Sequence, residues 1–228
     1  MSDPMSSTGI YASKTEGYFA VARTEMLEFV PSTANNILDV GCGDGSFGQR
    51  LKARQACRVS GIEHMADAAA IARTRLDAVL VCDANRLIDV ALPPASFDCI
   101  VCNDVLEHLV DPWSAAVRLA ELLAPGGCVV ASIPNVRYYK VLRDLVQHKT
   151  WTYADKGVLD RTHLRFFTYA TIPGLFEPAG LRVEVLQGIN GPRRFPFKYA
   201  LLNWLSFGGL EDARYLQFAC VARKPGAQ

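Results

Sequence analysis

Apolar residues in this chain fall into short runs, each closed by a polar side chain and separated by stretches with a helical repeat. Residues 36–40 form the first run, followed by Gly41, Gly43 and Gly45. From Ser46 a helical spacing begins, with Phe47 and Leu51 four apart. Residues 57–63 read as a second strand, 78–82 as a third, 97–102 as a fourth and 128–133 as a fifth. An alanine-rich stretch, 66–76, predicts a helix between the second and third. Another helix is predicted over 112–123, with Asp111 as N-cap, Pro112 in the first turn and Pro125-Gly126-Gly127 as the stop. Five alternations of strand and helix predict an α/β, doubly wound, mostly parallel sheet. Asp39, Glu63, Asp83, Asn103 and Asn135 close or follow the five strands. They therefore gather at one sheet edge, the edge where such sheets bind ligands.

After residue 136 the alternation breaks. Residues 136–148 predict a helix carrying Tyr138, Tyr139, Lys140 and Arg143. A loop-like stretch, 149–163, holds Trp151, Asp160, Arg161, Thr162 and His163. A helix over 169–177, a strand over 181–186, a short helical cap around 199–205 and a last strand over 215–222 follow. At the other end, residues 11–30 carry a helical stripe that Pro31 ends. Residues 1–10 read as a disordered tail. The expected organisation is one domain over 11–228, with a substrate-cap insertion around 136–168 and a second cap around 191–209.

Composition narrows the class. At 228 residues, half of them apolar, the chain suits one self-sufficient domain. A formal net charge of +1 leaves no large electrostatic footprint for nucleic acid. Arg193, Arg194 and Lys198 form the one local basic cluster singled out. Seven cysteines, an odd number placed mostly in strand-like runs, argue for a reducing compartment rather than a disulfide framework. Cys99 and Cys102 are spaced as C-x-x-C, but in a strand they face opposite sides. The N-terminal residues lack the regions of a signal peptide, and no apolar run reaches spanning length. A cytoplasmic protein without membrane association, a monomer or homodimer, is expected.

The glycine turn carries the chemistry. Alternate glycines between a strand and a helix let the backbone take positive φ and let a ligand approach main-chain amides. Gly43-Asp44-Gly45-Ser46-Phe47-Gly48 also satisfies G-x-G-x-x-G, with Glu63 at the distance of a ribose acid, so an NAD(P)-dependent dehydrogenase is one reading. The tighter match is Asp39-Val40-Gly41-Cys42-Gly43-Asp44-Gly45. Here the chain resembles the class I S-adenosylmethionine (SAM)-dependent methyltransferases, whose first motif is an acid, one residue and then alternate glycines. The resemblance implies a Rossmann-like sheet of seven strands with an antiparallel C-terminal strand, and SAM as cofactor with S-adenosylhomocysteine as product.

It also implies roles. Glu63 accepts from the ribose hydroxyls, Asp83 and the amide of Ala84 meet the adenine, and Asp39 meets the methionine ammonium. Gly41, Gly43 and Gly45 line the backbone beneath the cofactor. Cys42, His64 and Asn103 lie beside it, and Tyr18 and Arg23 close over its methionine end. The run Leu159-Asp160-Arg161-Thr162-His163-Leu164-Arg165-Phe166-Phe167-Thr168 is similar to a segment of methyltransferases found with glycan and natural-product assembly.

For the reaction itself, O-methylation of a hydroxyl on a small molecule or sugar is expected. The alternatives are N- or C-methylation, or a non-catalytic SAM-binding module. His163 is assigned as general base, with His108 as the alternative and Asp160 orienting the ring of His163. Asn135, Tyr138, Tyr139, Trp151, Asp160, Arg161 and Arg165 are the candidate acceptor contacts. If residues 104–111 were helical, Asp104, Glu107, His108 and Asp111 would share a face. These residues are nevertheless expected to act without a metal.

Overall fold

The computed structural model describes residues 23–226. Tyr18 and the tail at 1–10 lie outside the described residues, as does most of the N-terminal helical stripe. Seven strands form one sheet: β1 (Asn36–Val40), β2 (Arg58–Glu63), β3 (Ala78–Val81), β4 (Phe97–Asn103), β5 (Leu123–Pro134), β6 (Arg182–Ile189) and β7 (Gln217–Arg223). Their order is β3-β2-β1-β4-β5-β7-β6. The first five strands run parallel, and β7 pairs antiparallel with both β5 and β6. The expected seven-stranded, doubly wound sheet with an antiparallel C-terminal strand is therefore observed.

The strands split their side chains between two cores with a period of two. Leu38, Val40, Ile100, Cys102 and Val129 face one core, and Ile37, Cys99, Val101, Cys128 and Val130 face the other. Cys99 and Cys102 thus point to opposite faces, and all seven cysteines are free. Helices cover the sheet: α1 (Ser46–Arg54), α2 (Ala66–Ala72), α3 (Pro112–Leu122), α4 (Tyr139–Val146), α5 (Pro173–Phe176) and α6 (Phe197–Leu205).

Several boundaries differ from the sequence reading for local reasons. Pro125-Gly126-Gly127 does not separate α3 from β5; the strand begins directly at Leu123, which pairs with Phe97. A Cβ on Gly127 would lie 3.0 Å from the carbonyl oxygens of Phe97, Asp98 and Ala124, so the glycine permits close strand approach. Helix α4 starts three residues later than expected. The Asn135 side chain accepts from the amide of Arg137 at 2.9 Å and holds residues 135–137 in a turn. The helix expected over 169–177 shrinks to α5 and a 3-10 turn, Glu177–Ala179. Pro173 occupies the first turn of α5, where its missing N–H costs nothing. Residues 104–111 are not a helix: only Leu106–His108 form a 3-10 turn, and Asp104 sits at φ +53°. The expected N-cap is present, Asp111 accepting from the amide of Ser114 at 3.1 Å.

Candidate functional site

The carboxyl ends of β1, β2 and β4 open onto a cleft of about 1400 Å³. That is more than one drug-sized ligand needs and leaves room for a cofactor with an acceptor beside it. Its floor is the turn after β1. Gly41, Gly43 and Gly45 all adopt positive φ, +71°, +54° and +79°. Gly41 and Gly43 line the cleft, whereas Gly45 caps α1 and does not. A Cβ on Gly45 would meet the backbone of Ala72 at 3.0 Å, so this glycine serves helix packing. A Cβ on Gly41 would come within 2.6 Å of Val105, so packing as well as ligand approach excludes a side chain there.

Glu63 ties the turn to β2. Its Oε2 accepts from the amide of Gly43 and its Oε1 from the amide of Met65, both at 2.8 Å. Each oxygen keeps a further lone pair for hydroxyl donors. Asp39 is 2% exposed, and its Oδ2 has no hydrogen-bond partner among the described residues. Burial, then the neighbouring Glu63 carboxylate, pushes its pKa up to about 8. Asn103 Oδ1 is a second buried acceptor with no such partner. Asp83 accepts from the backbone and side-chain nitrogens of Asn85 at 2.9 and 3.0 Å and lines the cleft with Ala84 and His64.

A buried carboxylate and amide oxygen aimed at one space fit a ligand carrying an ammonium and further donors, and SAM is such a ligand. Arg23 reaches the same space, but its guanidinium is engaged by the Asp104 carboxylate and by Gln217 Oε1 at 2.9 Å. Cys42 lines the cleft with a thiol that burial holds far above its usual range, so it acts as packing rather than as a nucleophile.

The cleft lining also carries two histidines. His108 Nδ1 lies 3.1 Å from the carbonyl oxygen of Thr162, and His163 Nδ1 lies 2.9 Å from that of Val158. A carbonyl only accepts, so in each contact the Nδ1–H is the donor. The rings meet edge-on at 4.7 Å. His163 Nε2 is 3.9 Å from Glu107 Oε1. Asp160 accepts from the amide and hydroxyl of Thr162 at 2.9 and 2.7 Å, and its main-chain carbonyl accepts from the amide of His163 at 2.9 Å, so it shapes the loop that carries His163.

Glu107 is the residue the sequence reading left without a role. It is 1% exposed, and burial, then Asp104, raises its pKa well above the carboxylate range. Its main-chain carbonyl accepts from Leu164 and Arg165, which fastens the 149–165 segment over the cleft. Its signal was an acid inside an otherwise apolar Val-Leu-Glu-His-Leu run. Glu107, His108 and His163 offer ligand atoms all within 4.8 Å of one another. Asp104 and Asp111 are turned to other partners.

Of the candidate acceptor contacts, Asp160 and Arg161 line the cleft. The others lie elsewhere. Asn135 is fully buried and donates to the carbonyls of Asp212 and Tyr215, so it braces the main chain. Tyr138 stacks on Tyr139, which packs on Tyr199. Trp151 packs on Phe166, and Arg165 donates to Val110 O and lies 5.9 Å from the Trp113 ring.

Comparison with known proteins identifies the family. A family model described as Methyltransferase domain matches residues 11–186. The Ubiquinone biosynthesis O-methyltransferase of Ralstonia nicotianae is 30% identical, over 72% of this chain and 71% of its own. The protein of the same name from Xylella fastidiosa is 36% identical, over 87% and 78%. Among solved structures, a SAM-dependent methyltransferase from Mesorhizobium loti matches with a TM-score of 0.61 at 18% identity, over 88% of this chain and 96% of that one. Phosphoethanolamine N-methyltransferase 2 of Haemonchus contortus, solved with SAM, matches at 0.62 and 19%, over 97% and 58%. These two structures establish the fold alone. The family match spans most of the chain and includes the glycine turn, Asp39 and Glu63: the chain belongs to the methyltransferase-domain family and is a SAM-dependent methyltransferase.

Proposed function

We propose that the chain methylates a hydroxyl oxygen of a small-molecule acceptor, a sugar hydroxyl included, with His108 as the general base and His163 behind it. The observation that carries this reading is that both histidines line the cleft, with the Nδ1 of each held by a main-chain carbonyl. His108 is half-buried and His163 is 7% exposed, so His108 is the better placed of the two to meet an acceptor. This reverses the order expected from the sequence. The relatives named O-methyltransferases support an oxygen acceptor.

SAM, when bound, supplies an electrophilic methyl group. Asp39 holds its ammonium, Glu63 its ribose hydroxyls, and Asp83 with the Ala84 amide its adenine. Asn103 and Arg23 border its methionine end, and Asp160 and Arg161 border the acceptor. The protein then aligns the acceptor oxygen, worth up to roughly 7–11 kcal/mol, and His108 Nε2 takes the hydroxyl proton. Incubation with SAM and matched hydroxyl, amine and thiol acceptors tests the reading. S-adenosylhomocysteine should form with the hydroxyl series; turnover with amines alone would replace it by N-methylation.

Two further results are expected. Asp39 holds a proton below about pH 8 in the free site, whereas an ammonium neighbour favours its carboxylate. SAM binding should therefore release a proton between about pH 4 and 8, the span between an ordinary and this raised carboxyl pKa. Affinity should rise with pH across that window and level off above it. Calorimetry in buffers of different ionisation enthalpy measures this, and binding without proton release would remove the ammonium from Asp39. The second concerns Glu107, His108 and His163, whose spacing also suits a divalent ion. With His108 as base, activity survives exhaustive chelation. Loss on chelation that zinc or magnesium reverses would make the three residues metal ligands instead.

A further inference from the structure

Helix α6 is built inside out. Seven of its nine residues are exposed, and of those only Lys198 is polar. Phe197 is 82% exposed and Trp204 74%, and Phe207, just beyond the helix, is wholly exposed. Leu201, Leu202 and Leu205 continue the face. Only Tyr199 is buried, against Tyr139 of α4. A surface helix ordinarily turns its polar side outward, and an outward apolar face of this kind marks a contact surface.

The charge around it says what kind. Residues 191–209 contain Arg193, Arg194 and Lys198 and no acid. None of the three has an ion pair among the described residues, and Lys198 Nζ lies 4.9 Å over the Tyr199 ring. Residues 136–149, which include α4, add four Lys and Arg against one acid, Asp144. The whole chain nets only +1, so these two segments are basic while the remainder is acidic.

From this we infer that α6 lies flat on an anionic lipid surface, with Phe197, Trp204 and Phe207 entering the headgroup boundary and Arg193, Arg194 and Lys198 meeting lipid phosphates. Aromatic and aliphatic side chains flanked by cations are the composition of interfacial helices. A two-fold contact between copies would instead bring the same cations together. This attachment differs from spanning, for which no helix among the described residues is long and apolar enough. The geometry also gives it a direction. Helix α6 leaves and re-enters the sheet between the end of β6 and the start of β7, where Gln217 pairs with both Ile189 and Pro134. That is the cleft edge of the sheet, so docking would bring the cleft side towards the bilayer.

Co-sedimentation of the full chain with phosphatidylcholine vesicles, with and without phosphatidylglycerol, tests the inference. Binding should need the anionic lipid and fall as salt is raised. The triple variant Arg193→Gln, Arg194→Gln, Lys198→Gln should lose about a hundredfold in vesicle affinity, since each cation near such a surface is worth about fivefold. The variant Phe197→Ser, Trp204→Ser, Phe207→Ser should lose binding as well. Both should retain SAM affinity, which shows that they are folded. Equal binding to neutral vesicles, no binding at all, or a dimer that the serine variant dissolves would each overturn the inference, the last by assigning the face to a second copy.

Discussion

His108→Ala slows methyl transfer by about 10²- to 10⁴-fold at saturating SAM, the contribution of a positioned general base. SAM affinity is unchanged, because no cofactor contact is assigned to His108. Two features of the rate separate a base from a structural part. The pH profile of the wild type has an acid limb from imidazole protonation, and that limb disappears in the variant. His163→Ala costs less if His163 only packs edge-on against His108, and it leaves the acid limb in place. A His108 variant that binds SAM normally and keeps more than about a tenth of the rate, well short of a base's contribution, would return the base role to His163 or to alignment alone.

Glu63→Ala weakens SAM binding by about 1–3 kcal/mol, the usual loss for charge-assisted hydrogen bonds. The loss has two sources. The variant removes the acceptor for the ribose hydroxyls, and it frees the Gly43 and Met65 amides that the carboxylate now holds. Glu63→Gln separates them, because its amide keeps one acceptor oxygen for one of the two backbone donors. A glutamine variant with intermediate affinity fits both sources, and calorimetry resolves the series. Unchanged affinity in the alanine variant would mean that the turn after β1 is not where SAM sits.

The parallel half of the fold was legible because it is written locally. Each strand is an apolar run closed by a polar residue, and a boundary residue such as Asp111 acts on its own neighbours. Asp39, Glu63, Asp83 and Asn103 could be placed at one edge from topology alone. Asn135 shows where such reading stops. A polar residue ending a strand looks the same whether it faces a ligand or braces the chain, and the carbonyls it binds lie some eighty residues downstream. Arg165 and Trp151 were misplaced for the same reason, since their partners come from α3, the turn before it and a later loop residue. Glu107 was named only as one of four residues on a shared helical face, because its burial is not revealed by spacing. The glycines were read as one set, yet Gly45 answers to α2 and only Gly41 and Gly43 to the cleft.

The position of β7 has a consequence for synthesis. Strand β6 is an edge strand whose single neighbour is β7, and β7 is the last strand of the chain. Until residues 217–223 are added, β6 has nothing to pair with, because the place next to β5 is taken by β7, which is translated after it. The growing chain therefore carries two open ladders, one along β5 and one along β6, and such unpaired edges invite association with other chains. Stopping translation before Gln217 removes two strands from the sheet rather than one. A chain truncated there should engage chaperones, and restoring the seven-residue strand Gln217–Arg223 should close both ladders in a single step.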